Sequence, residues 1–289
     1  MSGAIPEWVV TAFAAVTVFT VMFSVGLGIA VGELRWIWQR PGPMVRGLFS
    51  VLIAVPALAL VVTRLLDLPR AAAIGVVLMA ISPGAPVALR RSLGAGGHRA
   101  FAPSLQISVA LLAVFSMPLS IAALNHVYAG HASVAPWDVA RQVFVAQLLP
   151  LGLGMALRQA AAPLAARLEP RLAWIGNVLL VATVVVVLIN GWEGTVTAGF
   201  RVLTAVALIT GAALAVGHLL GGPEPATRTA VAITSAARNP GLALLVAAVN
   251  AAPPAISAAI LAYLVVSVLA IVPYAAWRSR AGTRAPRGG

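Results

Sequence analysis

The chain has 289 residues, 61% of them hydrophobic and only 9% charged, with a mean hydropathy of +1.00, so a soluble domain could not hide its apolar surface and the bilayer must be its solvent. A formal charge of +12 on a soluble protein would point to nucleic acid, but here all 19 basic residues are arginines, mostly in short connections between apolar runs. Positive-inside bias explains them better than a polyanion partner, so no nucleic acid is expected. With no cysteine, disulfides, thiolate metal sites and cysteine chemistry are excluded too.

Nine apolar segments follow in order, at about 8–32, 45–66, 71–89, 101–124, 139–157, 172–190, 201–220, 228–249 and 255–277. Period-2 alternation is absent, so the segments predict helices and an all-α polytopic membrane protein. The first segment has no basic stretch before it and leads straight into the body, unlike a cleavable signal. Arg35, Arg40, Arg46, Arg90, Arg91, Arg99, Arg158, Arg167, Arg171, Arg228, Arg278, Arg280, Arg284 and Arg287 collect on one side, and Arg64, Arg70, Arg141 and Arg201 on the other. This asymmetry predicts a multi-pass protein of the cell (inner) membrane with its N-terminus outside and its C-terminus in the cytoplasm. Residues 278–289 read as a disordered cytoplasmic tail.

Two segments are interrupted. The third reads AAAIGVVLMAISPGAPVALRR, with Ser82, Pro83 and Gly84 deep inside it and Pro86 as a second break. The eighth, TRTAVAITSAARNPGLALLVAAVN, holds Arg238, Asn239, Pro240 and Gly241 in a row. Ten residues separate Arg228 at the boundary from Arg238, about 15 Å of helical rise, which is close to the centre of a hydrocarbon layer about 30 Å thick. Arginine keeps its proton, so a charge is held there. One broken segment enters from outside and the other from inside, which predicts inverted repeats with a binding site where the breaks meet. A pair of structural kinks is the alternative.

The runs 81–89 and 235–244 and the loop between Arg90 and Arg99 resemble the bile acid:sodium symporter superfamily. Its crossover helices carry [C/S]-P-G-G-x-x-S-N and E-x-G-x-Q-N-x-x-L-A patterns. This chain has Ser82-Pro83-Gly84-Ala85-Pro86-Val87-Ala88-Leu89 and Thr234-Ser235-Ala236-Ala237-Arg238-Asn239-Pro240-Gly241-Leu242-Ala243 in their place. The resemblance implies a panel domain (about 8–32 and 139–190) and a core domain (about 45–124 and 201–277), with the family's first helix missing so that the inverted repeats hold four and five helices. It also implies that Thr234, Arg238, Ala88 and Leu89 stand where sodium-coupled members hold their cation. The acidic group is gone, two oxygen-bearing side chains are apolar, and a cation has arrived, so sodium coupling is not expected. Asn239 keeps the asparagine to which the resemblance assigns substrate contact. The related arsenite permeases depend on a cysteine that this chain lacks.

Two amides, Gln106 and Gln147, fall within spans and read either as cavity lining or as helix–helix hydrogen bonds. Asn177, Ser116 and Thr210 read as helix–helix contacts. His98 and His218 fall near the inner surface, and His126 and His131 in the outer loop; of these only His218 is a conceivable proton carrier. Trp36, Trp38, Trp137, Trp174, Trp192 and Trp277 fall at helix ends as an interfacial belt, and Glu33, Asp138 and Glu193 are terminal too. No hydrolase elbow or zinc motif is present, and nothing calls for a cofactor or metal.

The expected function is a secondary transporter of a small organic anion, not coupled to sodium, with Arg238 in the place of the coupling cation. Its substrate-binding residues would be Ser82, Pro83, Gly84, Thr234, Arg238, Asn239, Pro240 and Gly241, and its partners the lipid bilayer and the anion. The alternatives are a membrane-embedded anion receptor that has lost transport, or a sodium- or proton-coupled symporter with relocated coupling residues. At Arg238 itself, the alternative to a substrate carboxylate is a tie to neighbouring backbone carbonyls. The sequence is silent on oligomeric state.

Overall fold

The structure, a computed structural model, describes residues 7–30, 32, 41–84, 86–127, 135–197 and 199–284. The expectations for Glu33, Arg35, Trp36, Trp38, Arg40, Ala85, His131 and Arg287, and for the side chains of Trp192 and Glu193, lie outside what is described. Every regular element among the described residues is helical. In chain order they are α1 (Glu7–Gly28), α2 (Pro41–Phe49), a π turn (Ser50–Ala54), α3 (Val55–Leu65), α4 (Arg70–Ala80), α5 (Pro86–Gly94) and α6 (Phe101–Val127). There follow α7 (Pro136–Val143), a second π turn (Phe144–Leu148), α8 (Leu149–Ala160), α9 (Ala162–Thr197), α10 (Gly199–Leu220), α11 (Pro225–Ala236), α12 (Pro240–Val249) and α13 (Pro254–Arg284). Eight helices among the described residues are long and apolar enough to cross a membrane. The shorter α4, continued past its break by α5, adds a further pass, in line with the nine apolar segments.

Proline sets many of the boundaries. Helices α2, α5, α7, α11, α12 and α13 all begin on it. The first helical N–H has no partner in any helix, so proline loses nothing there and its fixed φ favours the start. At two prolines inside passes the preceding turn loosens instead. Pro56 and Pro150 sit just after the two π turns, which widen the helix where the ring would meet the carbonyl four residues back.

Burial differs sharply between passes. The most apolar 18-residue stretch of the Pro225–Val249 pass is wholly buried in the protein, whereas in that of Ala162–Val186 only 17% of the residues are buried and the rest are left to face lipid. The largest apolar cluster packs α4, α10, α11, α12 and α13 together through Val76, Met79, Ile209, Ile233, Leu242 and Tyr263. Helix α1 packs most extensively on α9 and α8. Helices α10 and α11 approach closely at Gly217, where an added Cβ would stand 2.6 Å from the Ala232 Cα, and at Gly221 against the backbone of Arg228. This small-xxx-small spacing lets two membrane helices touch through their backbones.

Two boundaries differ from expectation. Helix α9 begins at Ala162 rather than near 172 and runs through Pro170 for 36 residues. At about 1.5 Å per residue it is about 54 Å long, so its first turns, with Arg167, Glu169 and Arg171, project beyond the apolar layer. The tail is helical through Arg284 rather than disordered from 278. Arg278 accounts for this, because it donates to Thr229 Oγ1 (2.8 Å) and the Pro225 carbonyl (2.9 Å) and lies 5.2 Å from the centroid of the Trp277 ring.

Candidate functional site

Both interruptions are real breaks, and they touch. The first pass stops at Ala80, Ser82 Oγ donates back to the Leu78 carbonyl (2.7 Å), and Gly84 turns the chain with φ +83 before Pro86 restarts the helix. The second pass stops at Ala236, Ala237 and Asn239 are extended, and Pro240 restarts it. Asn239 N–H donates to the Ser82 carbonyl (2.9 Å), so one break caps the other inside the membrane. The Asn239 side chain then serves as N-cap of α12, its Oδ1 accepting from Leu242 N–H (3.1 Å). Asn239→Ala is expected to destabilise the fold by about 1 kcal/mol through loss of that cap. A thermal melt in detergent, with Asn239→Ser as a variant that keeps a capping oxygen, checks it.

Arg238 is only 3% exposed. One Nη donates to the Val51 carbonyl (2.9 Å) and the other to the Ser235 carbonyl (2.7 Å). The Val51 carbonyl is free for a local reason. In the π turn Val55 N–H donates to Ser50, five residues back, and the next donor along would be Pro56, which has none. The guanidinium therefore satisfies a carbonyl that the backbone leaves open. Ser50 Oγ and Ser235 Oγ share a hydrogen bond (2.8 Å) beside it. Tyr263 Oη lies near Arg238 and Thr210, yet the Arg238 Nε, the Tyr263 hydroxyl and the Thr210 hydroxyl complete no hydrogen bond.

Arg238, Asn239, Pro240 and Gly241 also line a cavity of about 570 Å³ between α1, α9 and α13. Its walls are largely apolar, with Val18, Met22, Leu180, Val184, Leu264 and Val268 prominent. Among the described residues its charged lining is three arginines, Arg238 at the buried break and the more exposed Arg90 and Arg91 of α5, with no carboxylate. An apolar chamber carrying fixed positive charge fits an amphipathic anion.

The other expected site residues sit elsewhere. Ser82, Pro83, Gly84 and Thr234 are buried at or beside the breaks and do not line this cavity. Gln106 and Gln147 do not line it either, but flank the first break: a Cβ on Gly84 would lie 3.5 and 3.6 Å from their amide nitrogens. Gln147 Nε2 donates to the Ala110 carbonyl (3.3 Å), a helix–helix bond. Asn177, read from sequence as a helix contact, lines the cavity instead. His218 is engaged by Tyr274 Oη (2.8 Å) outside it. Val51 and Tyr263 were not legible as Arg238's surroundings; the Val55-Pro56 pair was the available signal for the first.

Residues 15–198, more than half of the chain, match the Sodium Bile acid symporter family. The chain belongs to that family. Members of the sodium bile acid symporter family are transporters rather than enzymes, and membership implies a lipid bilayer and a small solute as partners. A stretch of 114 residues is 28% identical to the P3 protein of Homo sapiens and equally to the P3 proteins of Mus musculus and Bos taurus. It covers 39% of this chain and 24% of each of those proteins, so the chain matches about a quarter of their length.

Proposed function

We propose that this family member carries a small amphipathic organic anion without sodium, and that Arg238 is a resident substitute for the coupling cation. The observation that carries the reading is the position of the guanidinium. It draws together the Ser235 and Val51 carbonyls beside the crossover while its residue lines the cavity. A sodium ion needs oxygen ligands with net negative character; no acidic side chain among the described residues lines the cavity, and an arginine already on those carbonyls would repel the ion. The same positive field attracts a carboxylate, and Asn239 adds an unpartnered Nδ2 donor, 4% exposed, in the cavity lining. The apolar walls take the body of the substrate.

In this reading α1, α7–α8 and α9 form the panel, the other helices form the core, and the core moves against the panel to expose the cavity to each side in turn. The arginine-rich side is cytoplasmic. The test is binding and uptake of organic acids in sodium, potassium and choline media, with ligand-induced thermal stabilisation as the binding readout. Affinity and uptake should be the same in all three. Uptake that requires sodium overturns the proposal.

A further inference from the structure

Side-chain hydrogen bonds help tie α7–α8 and α9 to the rest of the protein, and one of them is unlike the others. Asn250 Nδ2 donates to Gln142 Oε1 at 3.4 Å and Gln147 Nε2 to the Ala110 carbonyl at 3.3 Å, both neutral and long. Arg90 Nη2 donates to Glu169 Oε1 at 2.8 Å, a short ion pair between α5 and α9. The two side chains are 50% and 30% exposed, so this pair sits at the watery end of the site. The Glu169 Cγ also lies by the end of α1, 3.7 Å from where a Cβ on Gly28 would stand. Arg90 lines the same cavity as Arg238, but Glu169 does not. Arg90 thus lines the cavity while its guanidinium is held by a carboxylate from outside the lining.

We propose that Arg90 is a second anion subsite, at the mouth of the cavity, which Glu169 keeps occupied until the substrate's own carboxylate or sulfonate displaces it. The inference rests on the anion reading above and adds the mouth to it. An ion pair half in water is weak, so a free carboxylate arriving at the same guanidinium can exchange with Glu169 at little cost. While the carboxylate is on Arg90, α5 is released from α9, and when it moves on to Arg238 the pair with Glu169 can close again behind it. An uncharged analogue of the same shape would fill the apolar cavity and leave the tie closed. Arg91, the neighbouring lining cation, holds the approaching anion near the mouth during the exchange.

The test separates this subsite from the deep one by rates. A charge at a rim governs association, and a buried charged contact governs dissociation. Naphthoate, a fluorescent amphipathic carboxylate, is mixed by stopped flow with the full chain in detergent, beside the uncharged naphthamide. Glu169→Gln removes the competitor and should raise the naphthoate association rate about two- to fivefold, the range expected for a half-exposed pair. Arg90→Gln should lower it by a similar factor, and adding Glu169→Gln on top should then change nothing. Naphthamide should ignore all three variants. An association rate that Glu169→Gln leaves unchanged or lowers, or that it raises equally without Arg90, overturns the subsite alone. No naphthoate binding to the unmodified protein overturns the anion reading together with it.

Discussion

Arg238→Gln is expected to abolish most anion binding while leaving the protein folded. In its buried setting the guanidinium makes two charge-assisted hydrogen bonds, to Val51 and Ser235, each worth about 1.5–3 kcal/mol net. Against that stands the cost of keeping a charge out of water, several kcal/mol for an ion after relaxation. The two effects oppose each other in the stability of the empty protein, so the melting temperature should move little. They do not oppose each other once the substrate is bound. A carboxylate brought beside the neutral amide of this variant would be a buried anion without a counter-charge, a loss commonly of about 3–5 kcal/mol, or more than a hundredfold in affinity. Arg238→Lys should fall between, because an ammonium is a point charge without the planar fork that spans two carbonyls. Thermal stability and ligand titration on the same preparations separate the outcomes. Unchanged affinity in a well-folded Arg238→Gln variant would reduce Arg238 to a tie between backbones.

Gly217→Leu should fail at an earlier stage, in folding itself. The first atom of the new side chain meets the Ala232 Cα at 2.6 Å, which is backbone and cannot turn aside. Helix α10 would have to withdraw from α11, the half-helix that ends just before Arg238. Overpacking of this kind costs about 1–3 kcal/mol and more when neither side can move. Gly217→Ala should lower the melting temperature and Gly217→Leu should remove most of the monodisperse protein on size exclusion. Gly211→Leu, on an exposed position of the same helix with nothing within 4 Å, should be silent. Equal behaviour of the leucine variants at 211 and 217 would show that the close approach is not needed.

The passes and their breaks were legible because each rests on local chemistry. Apolar runs marked the passes, and Ser82-Pro83-Gly84 and Asn239-Pro240-Gly241 marked the breaks by removing donors and freeing φ. What stayed hidden was set by partners far along the chain. The need of the Val51 carbonyl for a donor follows from a π turn, and its partner lies 187 residues away. The pairing of Arg90 with Glu169 could not be read from a stretch that looked like a loop but is the start of α9. The helical tail depended on Thr229 and Pro225 being at hand for Arg278. A helix–helix bond for Gln147 was within reach of the sequence, while its place beside Gly84 depended on how two distant passes meet.

A cation that is covalently part of the carrier has an electrical consequence. A dissociable ion is left behind after each passage, but Arg238 returns with the protein every time. In the proposed cycle the moving body is neutral at this point when it holds a monovalent anion and carries one positive charge when empty. Membrane voltage then acts on the empty return and not on the loaded step. Moving one full charge through 100 mV is worth about 2.3 kcal/mol, and a partial passage proportionally less. With the interior negative, the empty protein is drawn toward its inward-facing form and the net electrical drive is for export of the anion. Exchange of one anion for another never uses the empty state, and would be blind to voltage.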